Sequence, residues 1–195
     1  MDMNTRKIII IALFCSLIIV GAYIRFPLPP VPITLQTMFV ITASLLGGTA
    51  VGVASTAIYL LLGAIGLPVF TAGGGLGVLL GPTGGFIIAL LPAAFIAGIA
   101  GNIGNKTESK RTYTLACIFF GLLATLVIYL IGVPFLKYNR SLSWQTAINV
   151  GMLPFLIGDG VKLIVAVNLA RGFGSRVRQF MLLENKEGKL GSTLE

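Results

Sequence analysis

Apolar positions in this chain come in long unbroken runs, set apart by short segments that cannot be helical or that carry charge. Six such runs are legible: Ile8–Phe26, Thr34–Gly47, Ala50–Gly66, Thr83–Gly101, Thr114–Val133 and Ala147–Ala170. Continuous apolar stretches of this length predict membrane-crossing helices. The second run is short, since its residues rise only roughly 21 Å as a helix against a hydrocarbon core of about 30 Å. A tight turn at Gly47-Gly48 is expected to join it to the third. Met1–Lys7 and Ile8–Ala22 also have the layout of a signal peptide, but we read the segment as the first membrane helix.

The connections sharpen this layout. Pro27-Leu28-Pro29-Pro30-Val31-Pro32 cannot be helical, because proline removes amide donors and forces its neighbours into extended backbone. Gly66–Gly85, with Gly73-Gly74-Gly75 inside it, reads as a long irregular loop, and its apolar Leu67, Val69 and Phe70 suggest a folded-back lid. Asn102–Arg111 and Lys137–Gln145 are ordinary polar loops. No internal repeat of the kind that builds secondary transporters stands out.

Composition agrees with a lipid-facing surface. Of 195 residues 56% are hydrophobic and only 10% charged, with a mean hydropathy of +0.97, whereas soluble proteins carry about 25% charged residues. The net charge of +8 does not indicate nucleic acid, because the basic residues sit at the chain ends and in two short connections. They set an orientation instead. With the N-terminus inside, Arg6, Lys7, Lys106, Lys110, Arg111, Arg171, Arg176, Arg178, Lys186 and Lys189 are cytoplasmic, and Arg25, Lys137 and Arg140 external. Both termini are then cytoplasmic, the proline-rich and glycine-rich loops share the outer face, and residues 173–195 form a basic cytoplasmic tail after a membrane domain over residues 1–172.

Candidate chemistry is sparse. Asp159 and Lys162 are the only acid and base deep inside an apolar run, Arg25 lying at the outer boundary of the first. At spacing i,i+3 they share a helix face, and each costs about 2.5–3.5 kcal/mol at mid-bilayer. That face must point into the protein or a wet cavity. The pair either closes on itself or offers an acceptor and a donor to a ligand. Gly158 and Gly160 beside the acid would let a ligand or backbone approach, and Pro154 could loosen the helix. Gln36 is a further polar group at a helix end, a ligand contact or a hydrated terminus. Tyr59 could stack on a ligand ring or simply pack, and Arg25 suits snorkelling to headgroups. Ala12-x-x-x-Ser16 is a small-xxx-small pair that lets another helix come close, while Ala93, Ala97 and Gly101 suit internal packing.

Several classes are excluded. With no histidine and two separated cysteines, Cys15 and Cys117, no metal site can be assembled. Gly104-Asn105-Lys106-Thr107 lacks the glycine and leading strand of a phosphate-binding loop, and no nucleophile–base pairing supports a membrane enzyme. A stand-alone secondary transporter driven by protonation of Asp159 is the competing reading.

Four ordered motifs carry a resemblance: Val31-Pro32-Ile33-Thr34-Leu35-Gln36, Gly66-Leu67-Pro68-Val69-Phe70, Gly81-Pro82-Thr83-Gly84-Gly85 and Pro154-Phe155-Leu156-Ile157-Gly158-Asp159-Gly160-Val161-Lys162. Over about residues 5–172 the chain resembles the BioY family, the biotin-specific S components of energy-coupling factor (ECF) transporters. The resemblance implies an all-α protein of six transmembrane helices that captures biotin from outside. It implies docking on a coupling transmembrane subunit and two ATPase subunits, through Ala12 and Ser16. Asp159 and Lys162 would belong to the ligand site, with Gln36, Tyr59, Phe70, Gly73 and Gly74 as further substrate-binding candidates. Biotin would be the ligand, with no cofactor or metal. An acid, a base and an amide in an apolar cavity match the ureido and carboxylate groups of biotin, and few polar groups suffice for specificity. Lys162 has two possible acceptors there, the ureido carbonyl and the carboxylate.

Overall fold

The computed structural model describes residues 5–107 and 109–191, with side chains described as far as Met181. The chain folds into helices α1 (Thr5–Tyr23), α2 (Gln36–Ala64), α3 (Leu76–Leu79), α4 (Gly84–Gly104), α5 (Lys110–Asn139), α6 (Trp144–Gly151) and α7 (Leu156–Gly191). A short antiparallel ribbon pairs β1 (Arg25–Phe26) with β2 (Ile33–Thr34), so that Arg25 lies opposite Thr34. Among the described residues, five helical stretches are long and apolar enough to cross a membrane: Thr5–Tyr23, Gln36–Ala64, Gly84–Gly104, Lys110–Asn139 and Trp144–Met181.

Two of the six apolar runs lie together in α2, and the join is not a straight helix. Gly48 has φ +76° and ψ −176°, backbone that is essentially restricted to glycine. Beyond it the chain doubles back. A Cβ on Gly52 would stand 2.8 Å from the Cα of Ser44, whereas eight residues of straight helix separate two positions by about 12 Å. α2 is therefore two arms packed side by side, broken where the Gly47-Gly48 turn is expected.

The break is held from α4. Asn102 donates from Nδ2 to the Thr49 hydroxyl at 2.9 Å and accepts from the Thr49 amide at 3.3 Å. The small stripe of α4 makes this approach possible. Ala93 and Ala97 are fully buried, and a Cβ on Gly98 or Gly101 would run into the backbone of Thr49 or of Ser44 and Gly48. Small residues let helix backbones approach where lipid supplies no hydrophobic drive. α2 packs on α4, α1 and α7, and α4 on α5.

The sixth apolar run is not one helix. α6 ends at Gly151, Met152 leaves helical geometry (φ −135°, ψ −59°), and Leu153–Phe155 form a single 3₁₀ turn with Pro154 in its first positions. A proline here lacks the amide a continuous helix would need. α7 starts afresh at Leu156, so Asp159 lies in its first turn rather than mid-helix. Nor does α7 end at residue 172. It continues through Gly191, and Val177 and Met181 pack against the core.

The two special loops meet at one end of the bundle. The Tyr23 hydroxyl donates to the Pro68 carbonyl, and the Arg25 guanidinium donates to the Thr71 carbonyl. Asn139, at the end of α5, donates to the Leu80 carbonyl at 2.6 Å. The proline-rich ribbon and the glycine-rich segment are thus tied together over the same helix ends.

Candidate functional site

Beneath these loops lies a cavity with about 590 Å³ of empty space, counting the solvent-open space it joins. Its roof comes from Val31, Pro32 and Thr34 of the ribbon and Thr71 of the glycine-rich segment. Its walls are apolar, from Phe86, Ile87 and Leu90 of α4, Ile128 of α5 and Phe155 of the 3₁₀ turn. Thr83 and Gly151 complete the rim, and the remaining lining residues are Gln36, Thr37, Tyr129, Asp159 and Lys162.

These polar groups form a chain across three helices. Lys162 Nζ donates to Asp159 Oδ1 at 2.8 Å and reaches Thr37 Oγ1 on α2 at 3.4 Å. The other carboxylate oxygen, Oδ2, accepts from the Tyr129 hydroxyl of α5. Lys162 is buried, with 8% of its surface exposed. The break before α7 explains how the carboxylate is tolerated. It lies at the positive end of the helix dipole, where the first amides have no partner within the helix. Ion pair, phenol and helix terminus together offset the cost of holding the charge away from water.

Gln36 is the exception. It begins α2, is 5% exposed and lines the cavity, yet its Nε2 has no acceptor among the described residues. A buried amide donor left unsatisfied costs about 1–3 kcal/mol. It stands on the cavity wall as a donor with no acceptor among the described residues.

The structure brings Gln36, Asp159 and Lys162 together and leaves four other substrate-binding candidates outside. Tyr59 and Phe70 are fully buried and pack edge to face, with ring centroids 5.3 Å apart. Phe70 lies so close over Gly63 that any side chain there would meet its ring. It is an anchor that pins the glycine-rich segment to α2. Gly73 closes the turn after it by paired backbone bonds with Phe70, 2.9 and 3.0 Å long. Gly74 lies against the carbonyls of Gly66 and Leu67 with no room for a Cβ. These glycines shape the segment and do not face the cavity. Gly158 and Gly160 likewise have open space beside them, with no backbone drawn close.

Sequence reasoning missed Tyr129, Thr37, Thr34, Thr71 and Thr83. Tyr129 alone carried a signal, as a phenol in the middle of an apolar run needs a buried partner. The threonines sit in segments whose folding decides whether they face the cavity. Ala12 and Ser16 are exposed on α1, away from this site, and the Ser16 hydroxyl is spent on the Ala12 carbonyl at 2.9 Å.

Comparison with known proteins adds a second line. The BioY family model matches residues 1–179. A probable biotin transporter BioY of Pyrococcus horikoshii is 42% identical over 169 residues, spanning 86% of this chain and 96% of that protein. The biotin transporter BioY of Thermotoga maritima is 40% identical over 166 residues, 85% of this chain and 94% of that one. Among solved structures, the S-component for biotin from an ECF-type ABC transporter matches with a TM-score of 0.76 at 28% identity, covering 92% of this chain and 95% of that chain. The architecture, the cavity beneath two tied loops and this agreement over most of the chain lead to one conclusion: the chain belongs to the BioY family.

Proposed function

We propose that this protein is the biotin-binding S component of an ECF-type importer, capturing biotin from outside a prokaryotic cell membrane. The observation that carries the reading is the cavity in which Asp159, Lys162 and the unpartnered Gln36 amide face one apolar chamber. Biotin has an apolar fused ring, two ureido N–H donors, a ureido carbonyl and a carboxylate. Asp159 accepts from a ureido N–H. Lys162 and Gln36 donate to the carbonyl or to the carboxylate. Binding, not catalysis, is the chemistry of the site, and ATP hydrolysis would belong to two ATPase partners.

In this reading the two arms of α2 are separate crossings, giving six, with both termini cytoplasmic and the tied loops outside. The excess of basic residues at the end of the molecule opposite the loops supports that orientation. Docking on the coupling subunit uses the Ala12/Ser16 face of α1. Because Ser16 is bonded to its own helix, the face offers small side chains without a free donor.

Titration calorimetry of purified protein with biotin tests the site. Asp159→Asn and Lys162→Met are expected to weaken binding by roughly ten- to a hundred-fold, the range for hydrogen bonds to charged groups. Variants that bind biotin as tightly as the parent chain would rule the assignment out. Uptake of biotin by cells with and without the ATPase partners separates a subunit from a stand-alone transporter.

A further inference from the structure

The end of the molecule away from the cavity holds a second depression, lined by Asn105 at the end of α4 and by Ser175, Arg178 and Gln179 on α7. All four lining residues are polar and one is cationic. The guanidinium of Arg178 is seated in a shaped slot. Its central carbon lies 5.0 Å over the Tyr113 ring. A Cβ on Gly104 would stand 2.9 Å from Nη1, and one on Gly174 would stand 2.8 Å from it. Both glycines are therefore needed to seat the side chain. Nη1 is buried with no acceptor among the described residues.

A half-buried guanidinium with one nitrogen buried and unpaired suits an anion. Asp159 is the only carboxylate among the described side chains, and it lies about five turns away along α7. Neighbouring charge narrows the choice of anion. Arg6, Lys106, Lys110, Arg111 and Arg176 add positive charge at the same end as Arg178, the distribution that faces anionic headgroups at the cytoplasmic side of a membrane. Basic pockets between membrane helices suit phosphate headgroups, and arginine suits phosphate geometry better than other cations.

We propose that this slot binds a phosphate group, supplied in the membrane by an anionic phospholipid headgroup, with Arg178 as its ion-pairing partner. Asn105, Ser175 and Gln179 complete the hydrogen bonding. If Arg178 only packed on Tyr113, lipid binding would not depend on it.

Native mass spectrometry of the full chain in neutral detergent, with added phosphatidylglycerol or phosphatidylcholine, provides the test. The parent chain should retain phosphatidylglycerol in preference to phosphatidylcholine. Arg178→Gln should bind phosphatidylglycerol about ten-fold more weakly, the loss expected of a charge-assisted bond. Ser175→Leu, which leaves the Arg178–Tyr113 stack intact, should also weaken it several-fold, so that misfolding of the arginine variant is not the explanation. Arg176→Gln, outside the slot, should change binding by less than about two-fold. Competition by inorganic phosphate would support a site open to soluble phosphate as well, and no competition would support the lipid as its source. Equal phosphatidylglycerol binding by the parent, Arg178→Gln and Ser175→Leu chains, or an equal loss in Arg176→Gln, overturns the proposal.

Discussion

The amide nitrogen of Gln36 is buried in the cavity wall without an acceptor, while the neighbouring Asp159 and Lys162 already satisfy one another. These states make opposite predictions on substitution. Removing either charge strands its partner, whereas Gln36→Leu removes a donor that no described residue uses, relieving a cost of about 1–3 kcal/mol. The variant should melt at the same temperature as the parent chain or higher when empty, and bind biotin roughly ten-fold more weakly if the ligand's acceptor supplies the missing bond. Thermal unfolding with and without biotin checks both halves, because the ligand-induced rise should shrink even as the empty protein holds steady. A variant that melts lower and binds as tightly would make Gln36 a structural residue. At this scale Asp159, Lys162 and Gln36 were legible in the sequence, because polar groups stand out in or beside apolar runs. Tyr129 was not read, since its partner lies thirty residues away on another helix. Tyr59 and Phe70 were substrate-binding candidates, Tyr59 with packing as its alternative, and their rings pack edge to face in the core, which their aromatic character alone does not reveal.

Elements carry their own strain. The hairpin in α2 turns at Gly48, whose positive φ would cost an L side chain roughly 1–3 kcal/mol. A Cβ there would also stand 2.3 Å from Asn102 Oδ1, displacing the side chain that holds the turn. Gly48→Ala should therefore lower the unfolding temperature clearly. Gly172→Ala, on an exposed stretch of α7 with nothing within 4 Å, should leave it unchanged or raise it slightly, as alanine favours helix over glycine. Similar melting of the two variants in detergent would mean that the turn is not rigidly held. This turn was readable, because two adjacent glycines ended a run too short to span the bilayer. The break before α7 was harder to see. Hydrophobicity runs on across Met152–Phe155, and Pro154 alone does not tell a kink from a new helix. That difference matters, since a new helix start puts Asp159 at a positive dipole end.

The whole molecule has two unlike ends: one closed by the tied loops over the cavity, the other basic and carrying the Asn102–Thr49 clasp and the Arg178 slot. If the six-crossing arrangement holds, residues near the start of α6 face outward and residues near the start of α5 face the cytoplasm. The chain is well suited to a direct test, because Cys15 and Cys117 are both buried and should contribute little background. Gln145→Cys in the first turn of α6 and Thr112→Cys in the first turn of α5 are both at exposed positions. In intact cells a membrane-impermeant maleimide should label Gln145→Cys and spare Thr112→Cys, and permeabilisation should make both react. The reverse pattern would invert the protein, moving the cavity's loops to the cytoplasmic face and excluding capture of biotin from outside. Labelling of both positions in intact cells would place them on the same side, breaking the alternation of crossings between them. Biotin added before labelling offers a control on the same sample, because neither position lines the cavity and their reactivity should stay the same.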